Sequence, residues 1–255
     1  MKRSVRVIRC LAVGAFVLFG SAVPADTTLT YAEGTGQNLL RIAGGKVRFD
    51  GSRDDGWLLF DAGRGEMTFV DPERGEYTVV DEATLQRMQA AIDAVMTAMA
   101  AQLAEMPPSM RDQMGRMMGG MLPDHAAGTS VRLEATGEWG DAAGYECAFS
   151  RVLVNQEVRS EVCLASAATL GLPADDRATV DAWQGFARQL AERASRYVSV
   201  DVGILGESGQ VPVILRQPDS GPEAVLEDVS GDRVDPSLMR VPDGFRVNEL
   251  ELPFG

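Results

Sequence analysis

The feature that most constrains the fold is a series of six short segments of alternating polar and apolar residues between positions 27 and 80. Each connection between these segments is short and rich in Gly, Asp or Pro, as β-hairpins require. The sequence therefore predicts an antiparallel, meandering sheet. In Trp57-Leu58-Leu59-Phe60 neighbouring residues are all apolar, which indicates a strand covered on both faces. The predicted strands are Thr27–Glu33, Gln37–Ala43, Lys46–Asp50, Trp57–Asp61, Glu66–Asp71 and Glu76–Val80.

The hydrophobic period changes from two residues to 3.6 after Asp81, where Ala, Met, Gln and Leu become frequent. Apolar residues over Leu85–Met106 share one face of a helix that Asp81 can cap. Pro107-Pro108 ends this helix and can open a second, Met-rich helix that runs to about Met121. A third amphipathic helix is predicted over about 175–197.

Strands are also predicted after the Met-rich region and after the third helix. Strands followed by helices and then by further strands indicate an α+β fold, and a sheet of so many strands must curl or close. No repeat or long linker interrupts residues 26–255, so we expect one domain. The additional predicted strands are Thr129–Ala135, Tyr145–Leu153, Glu157–Leu164, Val211–Arg216, Ala224–Val229 and Phe245–Leu252.

The first 25 residues have the pattern of a cleavable export signal. Four basic residues precede an apolar run from Cys10 to Phe19, which is too short to cross a bilayer as a helix. Small residues over 21–25 offer a cleavage site after Ala25. We therefore expect a periplasmic protein that begins at Asp26 after processing and has no stable membrane anchor.

Removal of the signal leaves two cysteines, Cys147 and Cys163. An even number of cysteines in an exported chain is typical of a disulfide, and each lies eight residues from Asn155 in a predicted hairpin, so the two would face each other. Closing a loop of this size contributes about 3 kcal/mol in the chain-entropy model. A redox pair or thiolate metal site is the alternative, but no CxxC spacing or neighbouring basic residue favours it.

The charge and the chemistry-bearing residues exclude several functions. The chain has 24 basic and 37 acidic residues, a net charge of −13, so nucleic acid is not an expected partner. Its one histidine, His125, lies in a predicted loop without a nucleophile in its motif, and a single histidine cannot form a histidine zinc site. We expect a protein that is not an enzyme, with no catalytic residues and no cofactor.

Several segments are similar to those of a known family. They begin with Gly44-Gly45-Lys46-Val47-Arg48-Phe49, Trp57-Leu58-Leu59-Phe60-Asp61 and Glu66-Met67-Thr68-Phe69-Val70-Asp71, and continue with 143–147, 161–165 and 241–245. Together they resemble the LolA-like periplasmic proteins of the lipoprotein-carrier superfamily, most closely an uncharacterised branch. The resemblance covers nearly all of residues 26–255, with the Met-rich helices at about 81–121 as an insertion.

The resemblance implies a half-open antiparallel β-barrel with about three helices over its concave face and an apolar cavity between. In characterised relatives this cavity holds the acyl chains of lipoproteins or other lipids. The leading prediction is therefore a non-enzymatic periplasmic binding protein that holds a lipid or acyl chain under the Met-rich helices. The residues predicted to line the cavity are Trp57, Leu59, Phe60, Met96, Met99, Met110, Met114 and Trp183.

Nine of the twelve methionines lie between Met88 and Met121, and this cluster has three interpretations. It can be an ordinary packed helix face, an adaptable cover over a ligand, or a site for Cu(I). A copper-binding protein is thus the weaker alternative function. The other alternative is an envelope interaction or sensor module with a vestigial cavity, whose acidic surface meets a protein partner. The candidate copper ligands are Met110, Met114, Met117, Met118 and Met121.

Overall fold

A computed structural model describes residues 26–51, 56–107, 110, 130–194, 206–217 and 224–248. Within these residues the chain forms twelve strands, two α-helices and one short 3₁₀ helix. The helices are α1 (Glu82–Glu105), α2 (Ala174–Ala194) and the 3₁₀ turn Pro236–Met239. The first six strands are β1 (Thr27–Glu33), β2 (Gly36–Ala43), β3 (Lys46–Asp50), β4 (Trp57–Asp61), β5 (Glu66–Asp71) and β6 (Glu76–Val80). The others are β7 (Val131–Ala142), β8 (Tyr145–Val154), β9 (Glu157–Ser166), β10 (Gln210–Arg216), β11 (Ala224–Ser230) and β12 (Arg246–Val247).

Strands β1 to β6 form a meander in which each strand pairs antiparallel with the next. The predicted strands of this region are confirmed, and only β2 differs in its bounds because it begins at Gly36. The predicted and observed bounds agree because tight turns fix where each strand ends and the next begins. Gly44 and Gly45 join β2 to β3 with φ of 57° and 75°, a conformation that fits two-residue hairpins and that side chains rarely adopt.

The predicted α+β fold, a single antiparallel sheet in a half-open barrel under about three helices, is wrong. The described residues are mostly β, with a 12-stranded mixed sheet and two α-helices. The sheet is mixed because β12, which lies within the predicted strand Phe245–Leu252, pairs with β6 in parallel. Residues 249–252 of that prediction lie outside the described residues. Of the predicted second helix, only Met110 lies within the described residues.

The parallel pairing of β12 follows from the route of the chain. Strand β11 lies beside β1, whereas β12 lies beside β6, so residues 231–245 must cross the whole meander. We call this segment the strap. A crossover of this kind brings the next strand back without reversing its direction, whereas a tight hairpin always reverses it.

Helix α2 lies across the strands of the meander. Near its start the Thr27 hydroxyl of β1 donates to Asp176 Oδ2 at 2.6 Å, and near its end Arg193 contacts Glu82, just beyond β6, at 2.9 Å. Seventeen residues of helix span about 26 Å, and the five spacings from β1 to β6 span about 24 Å. We call the face of the meander under α2 the inner face.

The inward side of α2 also reaches the other half of the sheet. Its residues Val180, Trp183 and Phe186 belong to the main core cluster, whereas Ala191 belongs to a second cluster formed by β8 and β9. One helix therefore contacts both halves of the sheet, which curves around it. The members of the second cluster are Val152, Val154, Val162, Leu164 and Ala191.

Helix α1 begins where β6 ends. The Asp81 carboxylate accepts a hydrogen bond from the Thr84 amide at 2.7 Å, so Asp81 caps the helix as predicted. Leu85 is buried and Met88 packs partly buried against the core cluster. The first two turns of α1 thus attach the helix to the meander.

The predicted disulfide between Cys147 and Cys163 is confirmed, with the two sulfurs 2.02 Å apart and both residues buried. The predicted register is two residues off, because Cys163 lies opposite Phe149 and not opposite Cys147. The hairpin turns at Asn155 and Gln156, and a bulge follows in β8 and β9. The cysteines are therefore diagonal neighbours, with Cα atoms 5.3 Å apart.

The strap covers the outer face of the meander. Val234 and Met239 are buried in a small cluster with Ala43 and Leu59. Two basic side chains of β3 donate hydrogen bonds to the backbone of the strap. Arg48 donates to the Leu238 carbonyl at 2.8 Å, and Lys46 donates to the Met239 carbonyl at 3.3 Å. At its start the Val234 amide donates to the Asp26 carboxylate at 2.8 Å.

Candidate functional site

The cross-strand register of the meander arranges the apolar residues of the inner face in two rows. The covered row lies under α2 and the start of α1, and each of its residues is buried. It consists of Ile42, Val47, Phe60, Met67 and Val80, each opposite the next. The open row lies two residues further along the strands and consists of Leu40, Phe49, Leu58 and Phe69, again each opposite the next.

Exposure increases along the open row with distance from β2. Leu40 is 4% exposed, Phe49 and Leu58 are half-buried, and Phe69 is 43% exposed. Phe49 and Leu58 also pack against the main core cluster. The open row is therefore continuous with the core at one end and faces solvent at the other. A contiguous apolar row that reaches the surface is one of the features that mark binding grooves, whereas a single exposed apolar residue is not.

The structure separates the residues that the sequence predicted to line one cavity. Phe60 and Trp183 lie in the core cluster of the inner face, and the rings of Phe60 and Phe186 have centroids 5.6 Å apart. Trp57 and Leu59 lie on the outer face, because side chains alternate along β4.

On the outer face the strap and a basic side chain enclose these two residues. Leu59 is buried beside Met239, and the Arg48 guanidinium carbon stands 3.9 Å from the centre of the Trp57 ring. On β4, Phe60 is thus buried under α2 and Leu59 under the strap, whereas Leu58 lies half-buried in the open row. The prediction that this strand is covered on both faces is therefore confirmed only at its Leu59–Phe60 end.

Within the Met-rich region, Met88 packs against the core cluster. Met110 is 54% exposed. Met96 and Met99 lie in α1, but their side chains are outside the described residues. The whole of the segment that contains Met114, Met117, Met118 and Met121 also lies outside them, so the cover and the copper site remain predictions.

Sequence reasoning missed the open row, although the signal for it was present. Phe49, Leu58 and Phe69 each lie two residues from a member of the covered row. Aligning the hairpins on their turns would have placed these three side chains opposite one another. The sequence interpretation instead selected Trp57 and Leu59 from the apolar run of β4, and both lie on the outer face.

Three buried polar side chains near the inner face differ in how fully their hydrogen-bonding groups are satisfied. The Tyr31 hydroxyl donates to the Pro212 carbonyl at 2.9 Å, and burial raises the pKa of Tyr31. Gln184 donates through Nε2 to the Gln210 carbonyl at 2.9 Å, while its Oε1 accepts nothing within the described structure. The Trp183 Nε1 group is also buried, and it too has no hydrogen-bond partner there.

Burial also perturbs one acidic residue at the start of α2. Desolvation raises the pKa of Asp176, against the hydrogen bond from Thr27, and the neighbouring carboxylates Asp26 and Asp175 raise it further. In the described ranges no group of three His, Cys, Asp or Glu side chains could hold a metal ion. His125 lies outside those ranges.

No protein-family profile matches this chain, and no curated protein matches it. Neither of the helices in the described part of the chain has the length and apolarity needed to cross a membrane.

Proposed function

We propose that this protein is a non-enzymatic periplasmic binding protein that holds an apolar ligand, a lipid or its acyl chain, against the open row. The observation that carries the proposal is the graded exposure of Phe49, Leu58 and Phe69 on the face that α2 otherwise covers. A ligand lying there would complete the apolar layer that the helix leaves unfinished.

The dimensions of the open row favour an elongated ligand. It crosses from β2 to β5, which is three strand spacings or about 14 Å. Each methylene group that such a ligand buries contributes about 0.8 kcal/mol. Roughly ten methylenes give about 8 kcal/mol before the cost of ordering, so a mainly apolar chain can bind without a charged anchor.

Two further observations support the proposal. The buried disulfide between Cys147 and Cys163 suits an oxidising compartment such as the periplasm, as does the export signal that the sequence predicts. The resemblance to LolA-like proteins associates such sequences with carriers of acyl chains, although this association is an analogy between families.

Replacing Phe69 with Ser tests the proposal, because Ser removes the most exposed aromatic ring of the row. We expect the affinity for a fluorescent acyl-chain probe to fall about fivefold to twentyfold, the effect of losing one large apolar contact. Fluorescence titration measures it. The fold should survive, since Phe69 is already 43% exposed.

Val158→Ser is the matched control. Val158 is 44% exposed, nearly the same as Phe69, but it lies beside the turn between β8 and β9. We expect this variant to bind the probe as the parent does. Equal loss of affinity in both variants, or no loss in either, would show that the probe does not bind at the open row.

A further inference from the structure

The position of Trp183 along α2 indicates that it packs near β3, one of the strands that carry the open row. It is seven residues beyond Asp176 on α2, which corresponds to about 10 Å of helix. Two strand spacings from β1 cover about the same distance and lead to β3. The structure agrees, because α2 packs against β2 and β3, and Trp183 shares the core cluster with Val47 of β3.

After Val47, the next residue of β3 whose side chain lies on the inner face is Phe49, a half-buried member of the open row. Phe49 packs against the same core cluster that contains Trp183. Trp183 and the half-buried part of the open row thus pack into the same core cluster, away from the end of the row at which Phe69 faces solvent.

The indole N–H of Trp183 is an unusual feature of this cluster. The residue is only 2% exposed, yet Nε1 has no hydrogen-bond partner within the described part of the chain. A buried donor without an acceptor destabilises the fold, because it has given up its hydrogen bonds to water without replacing them. Such groups are rare in folded proteins, and a ligand that brings an acceptor is one explanation for them.

We propose that the ligand is an amphiphile with a neutral oxygen acceptor, such as an ester carbonyl, and that Trp183 Nε1 donates to this oxygen. The proposal rests on the apolar-ligand function and adds the class of head group. A single N–H can compensate the burial of a neutral carbonyl. It cannot compensate the burial of a carboxylate, which costs far more.

Two probes with chains of similar length test this inference: methyl decanoate, which carries an acceptor, and decane, which does not. Displacement of the fluorescent probe gives the affinity of each. We expect Trp183→Phe to weaken methyl decanoate about fivefold to tenfold, the effect of one neutral hydrogen bond, and to leave decane unchanged. Trp57→Phe, on the outer face, is the control and should change neither.

A second measurement is made on the parent protein, so its result does not depend on the stability of the Trp183 variant. The indole N–H resonance of Trp183, assigned by its disappearance in the Phe variant, should move downfield with methyl decanoate and much less with decane. Equal weakening of both probes, or an unmoved resonance on saturation with the ester, would show that Trp183 only packs. Failure of the parent to bind either probe would instead overturn the apolar-ligand function itself.

Discussion

Two aspartates at the starts of helices show how local surroundings decide the role of the same side chain. Asp81 caps α1 near the surface, and hydrogen bonds from Thr84 hold its pKa below the ordinary value. Asp176 lies in the first turn of α2, only 6% exposed, where desolvation raises its pKa. The two residues should therefore affect stability in opposite directions as the pH changes.

Asp176→Asn should raise the thermal midpoint at pH 7. Because the folded pKa of Asp176 is above its unfolded value, the ionised carboxylate costs stability at every pH above the folded pKa. This cost disappears below the unfolded pKa of about 3.9, where the group is protonated in both states. Asn keeps an acceptor for the Thr27 hydroxyl and carries no charge. Thermal unfolding of both proteins between pH 7 and pH 4 should show the advantage shrinking.

Asp81→Ala is the comparison with the opposite sign. Loss of the cap should cost about 1 kcal/mol at pH 7. Because the folded pKa of Asp81 is lowered, its charge-dependent part of this contribution is present above the unfolded pKa and is lost as the pH falls through the folded pKa. A stability difference for Asp176→Asn that stays constant with pH would exclude a buried charge as its cause.

At the scale of elements, the strap fixes the outer face of the meander without forming a strand there. Met239 of its 3₁₀ turn is buried against Ala43 and Leu59, and Asp235 caps the turn by accepting from the Ser237 amide at 2.8 Å. We expect Met239→Ala to lower the free energy of unfolding by about 2–3 kcal/mol through the cavity it leaves.

Urea unfolding measures the effect of Met239→Ala, with Val247→Ala as its control. Val247 is 60% exposed in β12, so its truncation should change stability by less than about 0.5 kcal/mol. A loss at Met239 no larger than that at Val247 would show that the strap does not stabilise the sheet.

The elements that sequence reasoning predicted are those specified by neighbouring residues. The hairpins of β1 to β6 follow from turn chemistry, and the disulfide follows from two cysteines flanking one turn. The strap has no strand or helix period and is held by long-range contacts, such as Arg48 with the Leu238 carbonyl, which no local pattern reveals. Trp57 was predicted to line the cavity for the same reason. Both faces of an apolar strand look alike in the sequence, and the long-range packing of the strap covers the face on which Trp57 lies.

At the scale of the whole molecule, one helix determines which apolar row of the inner face stays open. Because α2 spans the meander and also contacts the cluster of β8 and β9, it covers a single row of the inner face and leaves the next row open. The sequence predicted α2 and the strands separately, but the open row exists only where their lengths and register are combined.

The net charge provides the last prediction. All 37 acidic residues of the chain lie within residues 26–255, where only 20 of its 24 basic residues are present to balance them. Folding brings these like charges together, so raising NaCl from 10 mM to 0.15 M, which shortens the Debye length from about 30 to 8 Å, should stabilise the folded state. We expect the thermal midpoint of protein 26–255 to rise by about 2–5 °C, equivalent to about 1 kcal/mol.

MgCl₂ at the same ionic strength should give the same rise if the effect is screening alone. A fall with NaCl would show that ion pairs such as Arg193 with Glu82 outweigh the repulsion, and a much larger rise with Mg²⁺ would show specific cation binding.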